Sequence, residues 1–491
     1  MKSTVWMARA AVIFVLGVQL DAQTLHVTGG AVDDQVFQRN AAGRAEVVLT
    51  GTASGAGSGP LEARVIRKHM AVPGFDWAKA GEISGRQWSA TVRDLPAGGP
   101  YRIEIRVPGT QASAAVNNVL VGDLWVLAGQ SNMQGVGDLV DVQQPHDLVH
   151  NFGMADHWMV AEEPLHTLVN AADRVHWPMN AQKQPERLEG ARLTEYVANR
   201  KKGAGLGLPF AVEMVRRTGI PIGLLSCAHG GTSMDQWNPA LKDKAGDSLY
   251  GSMLRRVRAA GGKVKGVLWY QGESDANPRA ASAFQRKFER LVTSIRDDFG
   301  QPDLPFYYVQ IGRHVNDANV TEWNLVQDAQ RKAEAAIPRS AMVASIDASL
   351  DDGIHVGTGD LKRLGRRMAN LACRDLFPEL ERYGKVKRGP RPVSAAFNNG
   401  VVRVEFSDVN GGLRADGRIA GFSIHAGDGA PRPMIYKARV DPGDSSAVLL
   451  HVGGKLPEGA TLHYGFGKDP YCNLRDQADM AAPVFGPMEI R

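Results

Sequence analysis

Cysteine is nearly absent. The 491 residues hold three, Cys227, Cys373 and Cys472, with no CxxC pair and no even-numbered framework. A disulfide scaffold and a cysteine-built metal site are therefore not expected, and at most one disulfide can form within the chain. Charge of one sign is scarce as well: Lys plus Arg, 57, exceed Asp plus Glu, 52, by only five, and no dense basic run is interleaved with aromatics, so nucleic acid is not an expected partner. Several signatures are missing, among them HExxH, GxxxxGK[ST], GxGxxG after a strand and the GxSxG elbow, which removes zincins, P-loop enzymes and ordinary α/β-hydrolases from consideration. No internal repeat or low-complexity tract supports a solenoid or propeller. What remains is an ordinary globular composition, 43% hydrophobic and 22% charged, in a chain long enough for roughly three domains.

Long apolar runs are also lacking, with one exception at the start. Lys2 and Arg9 precede the apolar stretch Ala10–Leu20, followed by Asp21-Ala22. A short apolar core behind a basic flank and before small residues is a secretory signal pattern, and the run falls short of the roughly 20 apolar residues needed to span a bilayer. Residues 1–22 are expected to be a cleaved signal peptide, which places the mature protein in the periplasm or outside the cell with no membrane anchor.

The rest divides by periodicity. Residues 23–116 alternate apolar and polar positions, as in Tyr101-Arg-Ile-Glu-Ile-Arg-Val107, and are predicted to form an N-terminal β-sandwich, with Gly51–Pro60 as a flexible loop. Residues 117–383 alternate strands and helices. Strand candidates at Leu124–Ala128, Ile222–Ser226, Val264–Tyr270, Phe306–Ile311 and Met342–Ile346 are separated by helices with apolar stripes such as Phe284, Phe288, Leu291 and Ile295, or Leu361, Leu364, Met368 and Leu371. That order implies an α/β fold with a parallel sheet covered on both faces. A basic, proline-containing linker, 384–392, leads into 393–491, predicted to be a C-terminal β-sandwich.

Polar residues gather at the carboxyl ends of the predicted parallel strands, where open α/β sheets form their ligand crevices. Gly129-Gln-Ser131-Asn turns Ser131 out at a strand end, as a nucleophile or as a helix cap. His229-Gly230-Gly231-Thr232 offers backbone free of side-chain obstruction, able to aim an N–H at an oxyanion. Gln271-Gly-Glu273-Ser-Asp275 supplies an amide donor and two acids; Glu273 with Asp235 also leaves open a paired-carboxylate glycosidase. Asp352-Gly-Ile-His355 places a carboxylate three residues from an imidazole, so that Asp352 can hold Nδ1 and leave Nε2 to accept a proton. Nucleophile, oxyanion donors and an Asp-His base on successive strand ends favour acyl transfer. Trp177, Trp237 and Trp323 are candidate stacking surfaces for sugars.

The segments Gly129-Gln-Ser-Asn-Met133, Gly219-Ile-Pro-Ile-Gly-Leu-Leu225, His229-Gly-Gly-Thr232, Leu249-Tyr-Gly-Ser-Met253, Trp269-Tyr-Gln-Gly-Glu-Ser-Asp275, Phe306-Tyr-Tyr-Val-Gln310 and Asp352-Gly-Ile-His355 are similar in order and spacing to the SGNH-type hydrolases. Within them the chain resembles the sialate O-acetylesterase-like carbohydrate acetylesterases, over nearly its whole mature length. The resemblance implies a three-layer, parallel-sheet hydrolase domain flanked by β-sandwiches, with Ser131 as nucleophile, His355 as general base and then acid, and Asp352 as its orienter. The Ser131 and Gly231 N–H groups and Gln271 would form the oxyanion hole, and His229, Trp237 and Glu273 are the candidate substrate contacts. No metal or cofactor is implied, and the expected partner is an acetylated carbohydrate. His229 stands where many relatives carry tryptophan, and Asp138–Gly205 follows no family pattern. An acetylesterase for plant polysaccharide such as xylan or xyloglucan, and a non-catalytic carbohydrate-binding protein, are the alternatives.

Overall fold

The structure, a computed structural model, describes residues 24–55 and 58–491; the expected signal peptide lies outside the described residues. The chain forms two compact units. One holds 47–93 and 102–116 with the described residues up to Ala31; the other holds 32–46, 94–101 and 117–491.

The first unit is built of antiparallel strands, among them Thr24–Gly30, Arg44–Ser54, Gly59–Arg67, Ala78–Ser84 and Gln87–Pro96. Alternation decides their faces: Ala45, Val47, Leu49, Gly51 and Ala53 are buried while the residues between them are not, which is the period-two pattern of a half-buried strand. The Gly51–Pro60 segment differs from the loop expected, because Arg44–Ser54 and Gly59–Arg67 extend into it. Gly51 takes part in the ladder, opposite Val27, and a Cβ there would stand 2.0 Å from the His26 carbonyl oxygen and 2.4 Å from the Trp88 ring, so the position has no room for a side chain.

The second unit centres on a parallel sheet. Its strands are β1 (Ser113–Gly129), which begins in the first unit's sequence, β2 (Val149–Phe152), β3 (Ile222–Ser226), β4 (Gly266–Tyr270), β5 (Phe306–Gln310) and β6 (Ser340–Ala344). They lie in the order β2-β3-β1-β4-β5-β6, all parallel, with Trp158–Val160 added antiparallel at the β2 edge. From β1 the sheet grows in both directions, so the carboxyl end of β1 sits where the strand order reverses, the usual place for a crevice. β2 had no counterpart in the sequence reading. It lies inside the stretch without a recognised pattern and is only four residues long.

Helices α1 (Gly207–Thr218), α2 (Leu249–Ala259), α3 (Phe284–Phe299), α4 (Val320–Ala336) and α5 (Thr358–Leu376) connect or follow these strands. Consecutive residues of a strand point to opposite faces, and β5 shows what lies on each. The Tyr307 ring meets Trp125, which contacts Phe210 of α1, and the Tyr307 hydroxyl donates to Asp375 of α5. Tyr308 packs on Phe288 of α3 and donates to the Gln330 carbonyl of α4. Helices thus cover both faces of the sheet, and every residue of β3 to β6 is buried. The predicted stripes on α3 and α5 are core, and Gly219 caps α1 with φ 69°. All three cysteines are buried and unpaired.

Beyond Arg391 the chain forms two four-stranded antiparallel sheets that contribute to one core, with Val402, Val404 and Leu450 from the first and Ile424, Leu462 and Phe485 from the second. This part is fastened to the α/β part. Gln310 at the end of β5 donates to the Val484 carbonyl at 3.0 Å and accepts from its N–H at 2.8 Å, and Arg391 pairs with the buried Glu334 of α4. Among the described residues no helix is long and apolar enough to cross a membrane.

Candidate active site

β1 ends at Gly129, and the turn that follows exists because this position is glycine. Its φ is 134°, and a Cβ there would stand 2.2 Å from the Tyr270 carbonyl oxygen of β4. The Gln130 N–H donates to that same carbonyl, and a short helix starts at Ser131. Ser131 is thereby presented at the strand end. It lines a cleft of about 420 Å³ with Gln130, Gln134, Gly230, Gly231, Glu273 and His355.

The facing loop is held at several points. The Asp351 N–H donates to the His355 carbonyl at 2.9 Å, and the Asp351 carboxylate accepts from the N–H groups of Asp138 and Thr358, tying the loop to the start of α5. The Asp352 carboxylate accepts from the Ile354 and His355 N–H groups at 3.0 and 2.9 Å and from Lys202 Nζ at 2.9 Å. His355 Nδ1 lies 2.8 Å from its Oδ2. Burial opposes the charge on Asp352, but the Lys202 ammonium, the two backbone donors and the imidazole outweigh it and hold this carboxyl far below the usual range. An ionised carboxylate only accepts, so the Nδ1 of His355 carries a proton and, in the neutral ring, Nε2 is bare.

The turn after β3 approaches the Ser131 backbone. A Cβ on Gly230 would come within 3.3 Å of Ser131 Cβ and 3.0 Å of Gln134 Oε1. The Gly230 N–H is already engaged by Gln134 Oε1 at 2.8 Å. Gly231, with φ 70°, follows it into the cleft lining. Among the described residues neither the Ser131 nor the Gly231 N–H donates to another protein group, so both remain free for a ligand oxygen.

Three sequence candidates sit differently from expectation. Trp237 is fully buried, its Nε1 donating to Thr232 Oγ1 at 3.0 Å and its ring against Trp269, so it has no face for a sugar. Its apolar surface is worth more in the core than at the crevice. Trp323 is likewise buried. Gln271 is buried too, and its amide donates to the Thr232 carbonyl at 3.1 Å and to Asp275 Oδ2 at 2.6 Å, which uses both amide protons to brace the turn after β3 instead of offering one to an oxyanion. Glu273 does line the cleft, with Oε1 held by Asn132 Nδ2 at 2.8 Å; burial raises its pKa against the opposing pull of Asn132 and His355. His229 adjoins the cleft through Gly230, half-buried, and burial pushes its pKa down to about 4.

Two positioning residues were missed. Asn132 links the Ser131 turn to the loop that carries His355, because its Oδ1 accepts from the Val356 N–H at 3.0 Å while its amide holds Glu273. Lys202 reaches Asp352 from a short strand inside the unpatterned segment. Asn132 stands beside Ser131 in the quoted motif, which was a usable signal; for Lys202 there was none. Among the described residues no group of three or more His, Cys, Asp or Glu side chains is arranged to hold a metal ion.

With this geometry in view, comparison with known proteins is decisive. Residues 121–374, just over half of the chain, match the family model of carbohydrate esterases described as sialic acid-specific acetylesterase. The chain belongs to this family. It is therefore a carboxylic ester hydrolase of the carbohydrate esterase type. A probable carbohydrate esterase of Arabidopsis thaliana is 27% identical over 291 residues, 53% of this chain and 94% of that one. The sialate O-acetylesterase of Homo sapiens is 22% identical over 292 residues, 53% of this chain, and the match spans about half, 54%, of the human protein's length. Among solved structures, a carbohydrate acetylesterase from Xanthomonas citri covers 94% of this chain and 99% of its own, with a TM-score of 0.63 and 22% identity, and shares the fold. The matched region of this esterase runs from within β1 to near the end of α5 and so includes Ser131, Gly231, Asp352 and His355.

Proposed function

We propose that this carbohydrate esterase cleaves O-acetyl esters on sugars through Ser131, His355 and Asp352 by way of an acetyl-enzyme. The observation that carries the proposal is the Asp352–His355 pair, which leaves Nε2 bare in the same cleft as the Ser131 hydroxyl. Ser131 Oγ attacks the acetyl carbonyl carbon as its proton passes to Nε2 of His355. The negative charge that gathers on the carbonyl oxygen meets the N–H groups of Ser131 and Gly231. When the tetrahedral adduct collapses, the bond to the sugar oxygen breaks and Nε2 returns the proton to that oxygen. A water, deprotonated by the same nitrogen, then attacks the acetyl-Ser131 ester, and acetate is freed as Nε2 returns that proton to the departing Ser131 Oγ. Asp352 keeps the imidazole oriented and stabilises it while protonated, and Lys202 keeps Asp352 ionised. Losing one oxyanion donor typically costs about a hundredfold or more in turnover.

Export is part of the proposal and rests on residues 1–22 alone. The test is acetate release from a small aryl acetate and from acetylated sialic acid, xylan and xyloglucan, with Ser131→Ala alongside. Turnover lost in the variant supports the mechanism, and the panel identifies the sugar. Turnover retained by Ser131→Ala overturns it.

A further inference from the structure

A buried polar chain runs behind the oxyanion turn. Arg255 of α2 grips both carboxylate oxygens of Asp173, Nε and Nη2 each at 2.8 Å. Ser252 Oγ, also on α2, lies 2.6 Å from Asp173 Oδ2 and 3.1 Å from His176 Nε2. His176 Nδ1 lies 3.1 Å from His229 Nδ1, with the two rings stacked at 5.2 Å between centroids. The Leu249-Tyr-Gly-Ser-Met253 motif, which the catalytic residues leave unexplained, supplies the serine in the middle.

Proton positions along this chain are dictated by what each group is able to do. Asp173, clamped by the guanidinium, only accepts, so the single Ser252 proton goes to it. Ser252 must then accept from His176, which places a proton on His176 Nε2. Burial holds His176 well below its ordinary pKa, so this ring is neutral and its Nδ1 is an acceptor. The short Nδ1 to Nδ1 contact closes only if His229 donates from its own Nδ1. With the His229 pKa pushed down to about 4, that ring is neutral at pH 7 as well, and its Nε2 carries a lone pair and no proton. Among the described residues this nitrogen has no hydrogen-bond partner, yet it is not among the sealed, unpartnered buried atoms. It belongs to the residue before Gly230-Gly231, whose N–H donates to the Gly129 carbonyl beside Ser131.

We propose that His229 Nε2 is a dedicated hydrogen-bond acceptor for a free sugar hydroxyl next to the scissile acetyl ester. The inference rests on the reading of Ser131 as nucleophile and deepens it by naming what the leaving group must carry. A bare imidazole nitrogen accepts and cannot donate, so it selects a hydroxyl and rejects an ether or a second acetyl group at that position. The substrate class is a partly acetylated sugar with at least one unmasked hydroxyl close to the ester.

The experiment compares kcat/KM for methyl glycoside monoacetates and for the same compounds with each remaining hydroxyl converted in turn to its methyl ether. The native enzyme is expected to lose roughly ten- to hundredfold at one position, the penalty for leaving one desolvated acceptor without its donor. In His229→Phe the ratio at that position should fall to within about twofold of one, whatever the variant's absolute rate, and His229→Gln should restore part of it. The proposal is overturned if the native enzyme discriminates at no position, or if His229→Phe discriminates as the native enzyme does. A second readout needs no variant: side-chain nitrogen NMR of the native enzyme at pH 7 should show His229 protonated at Nδ1 and bare at Nε2, and the opposite tautomer overturns the proposal. Failure of the triad reading is separate, since it shows as turnover by Ser131→Ala on every ester.

Discussion

Replacing Asn132 by alanine removes two contacts that join the Ser131 turn to the rest of the site. Asn132 is buried, its Oδ1 3.0 Å from the Val356 N–H and its Nδ2 2.8 Å from Glu273 Oε1. The variant leaves the buried Val356 N–H unpaired, at a cost of about 1 to 3 kcal/mol. It also leaves Glu273 without its amide donor, and Glu273 Oε2 already has no partner. Part of that second cost is relieved, because burial already raises the Glu273 pKa and loss of the amide favours the neutral acid further. The sum is about 3 kcal/mol. Val356 follows His355 directly, so an unpaired N–H there also loosens the His355 imidazole, the proposed base. Displacements near 1 Å in a catalytic group can cost about a hundredfold, and we expect kcat to fall roughly ten- to hundredfold with little change in KM. Urea unfolding monitored by fluorescence reads the stability, and initial rates on an aryl acetate under folded conditions read kcat. A variant within about 0.5 kcal/mol of native stability and within twofold in kcat would refute the role assigned to Asn132.

Three further outcomes follow from the same geometry. Gly230→Ala places a Cβ 3.3 Å from that of Ser131 and 3.0 Å from Gln134 Oε1, so turnover should drop at least about tenfold while circular dichroism stays native; unchanged turnover would contradict the close approach. Burial pushes His166 down to about 3, and neither of its ring nitrogens has a well-placed partner. The unfolded chain takes up this proton near pH 6.5 and the folded chain does not, so the group's contribution is complete above pH 6.5 and lost as pH falls towards 3, by about 3 kcal/mol at pH 4; His166→Phe should flatten that acid limb in pH-dependent unfolding, and an unchanged slope would count against it. Removing residues 393–491 strips Val484 from Gln310 and opens the core that includes Ile346, so the truncated protein should be insoluble or inactive even on aryl acetates; full activity would show the C-terminal sheets to be dispensable.

Strand ends and the order of polar clusters were legible because they depend on local pattern: Leu124–Ala128, Ile222–Ser226 and Phe306–Ile311 each fall within or overlap an observed parallel strand. The Asp352–His355 contact was legible for the same reason, three residues on one loop. Partner choice across the fold was not. Gln271 and Trp237 have the right chemistry in the right cluster, yet one spends its amide on Asp275 and the other fills the core, outcomes decided by packing and invisible in spacing. Lys202, His176 and β2 lie in a stretch without periodicity, and each acquires meaning only through residues distant in sequence: Asp352, Ser252 and β3.

The central claim is that Ser131 carries the acetyl group. Brief incubation with an aryl acetate, or with a fluorophosphonate that mimics the tetrahedral adduct, followed by acid quench and peptide mass spectrometry, tests it most directly. The proposed mechanism predicts one modification per chain, on Ser131, lost in His355→Ala. Modification of another residue, or undiminished modification of Ser131 without His355, would contradict it.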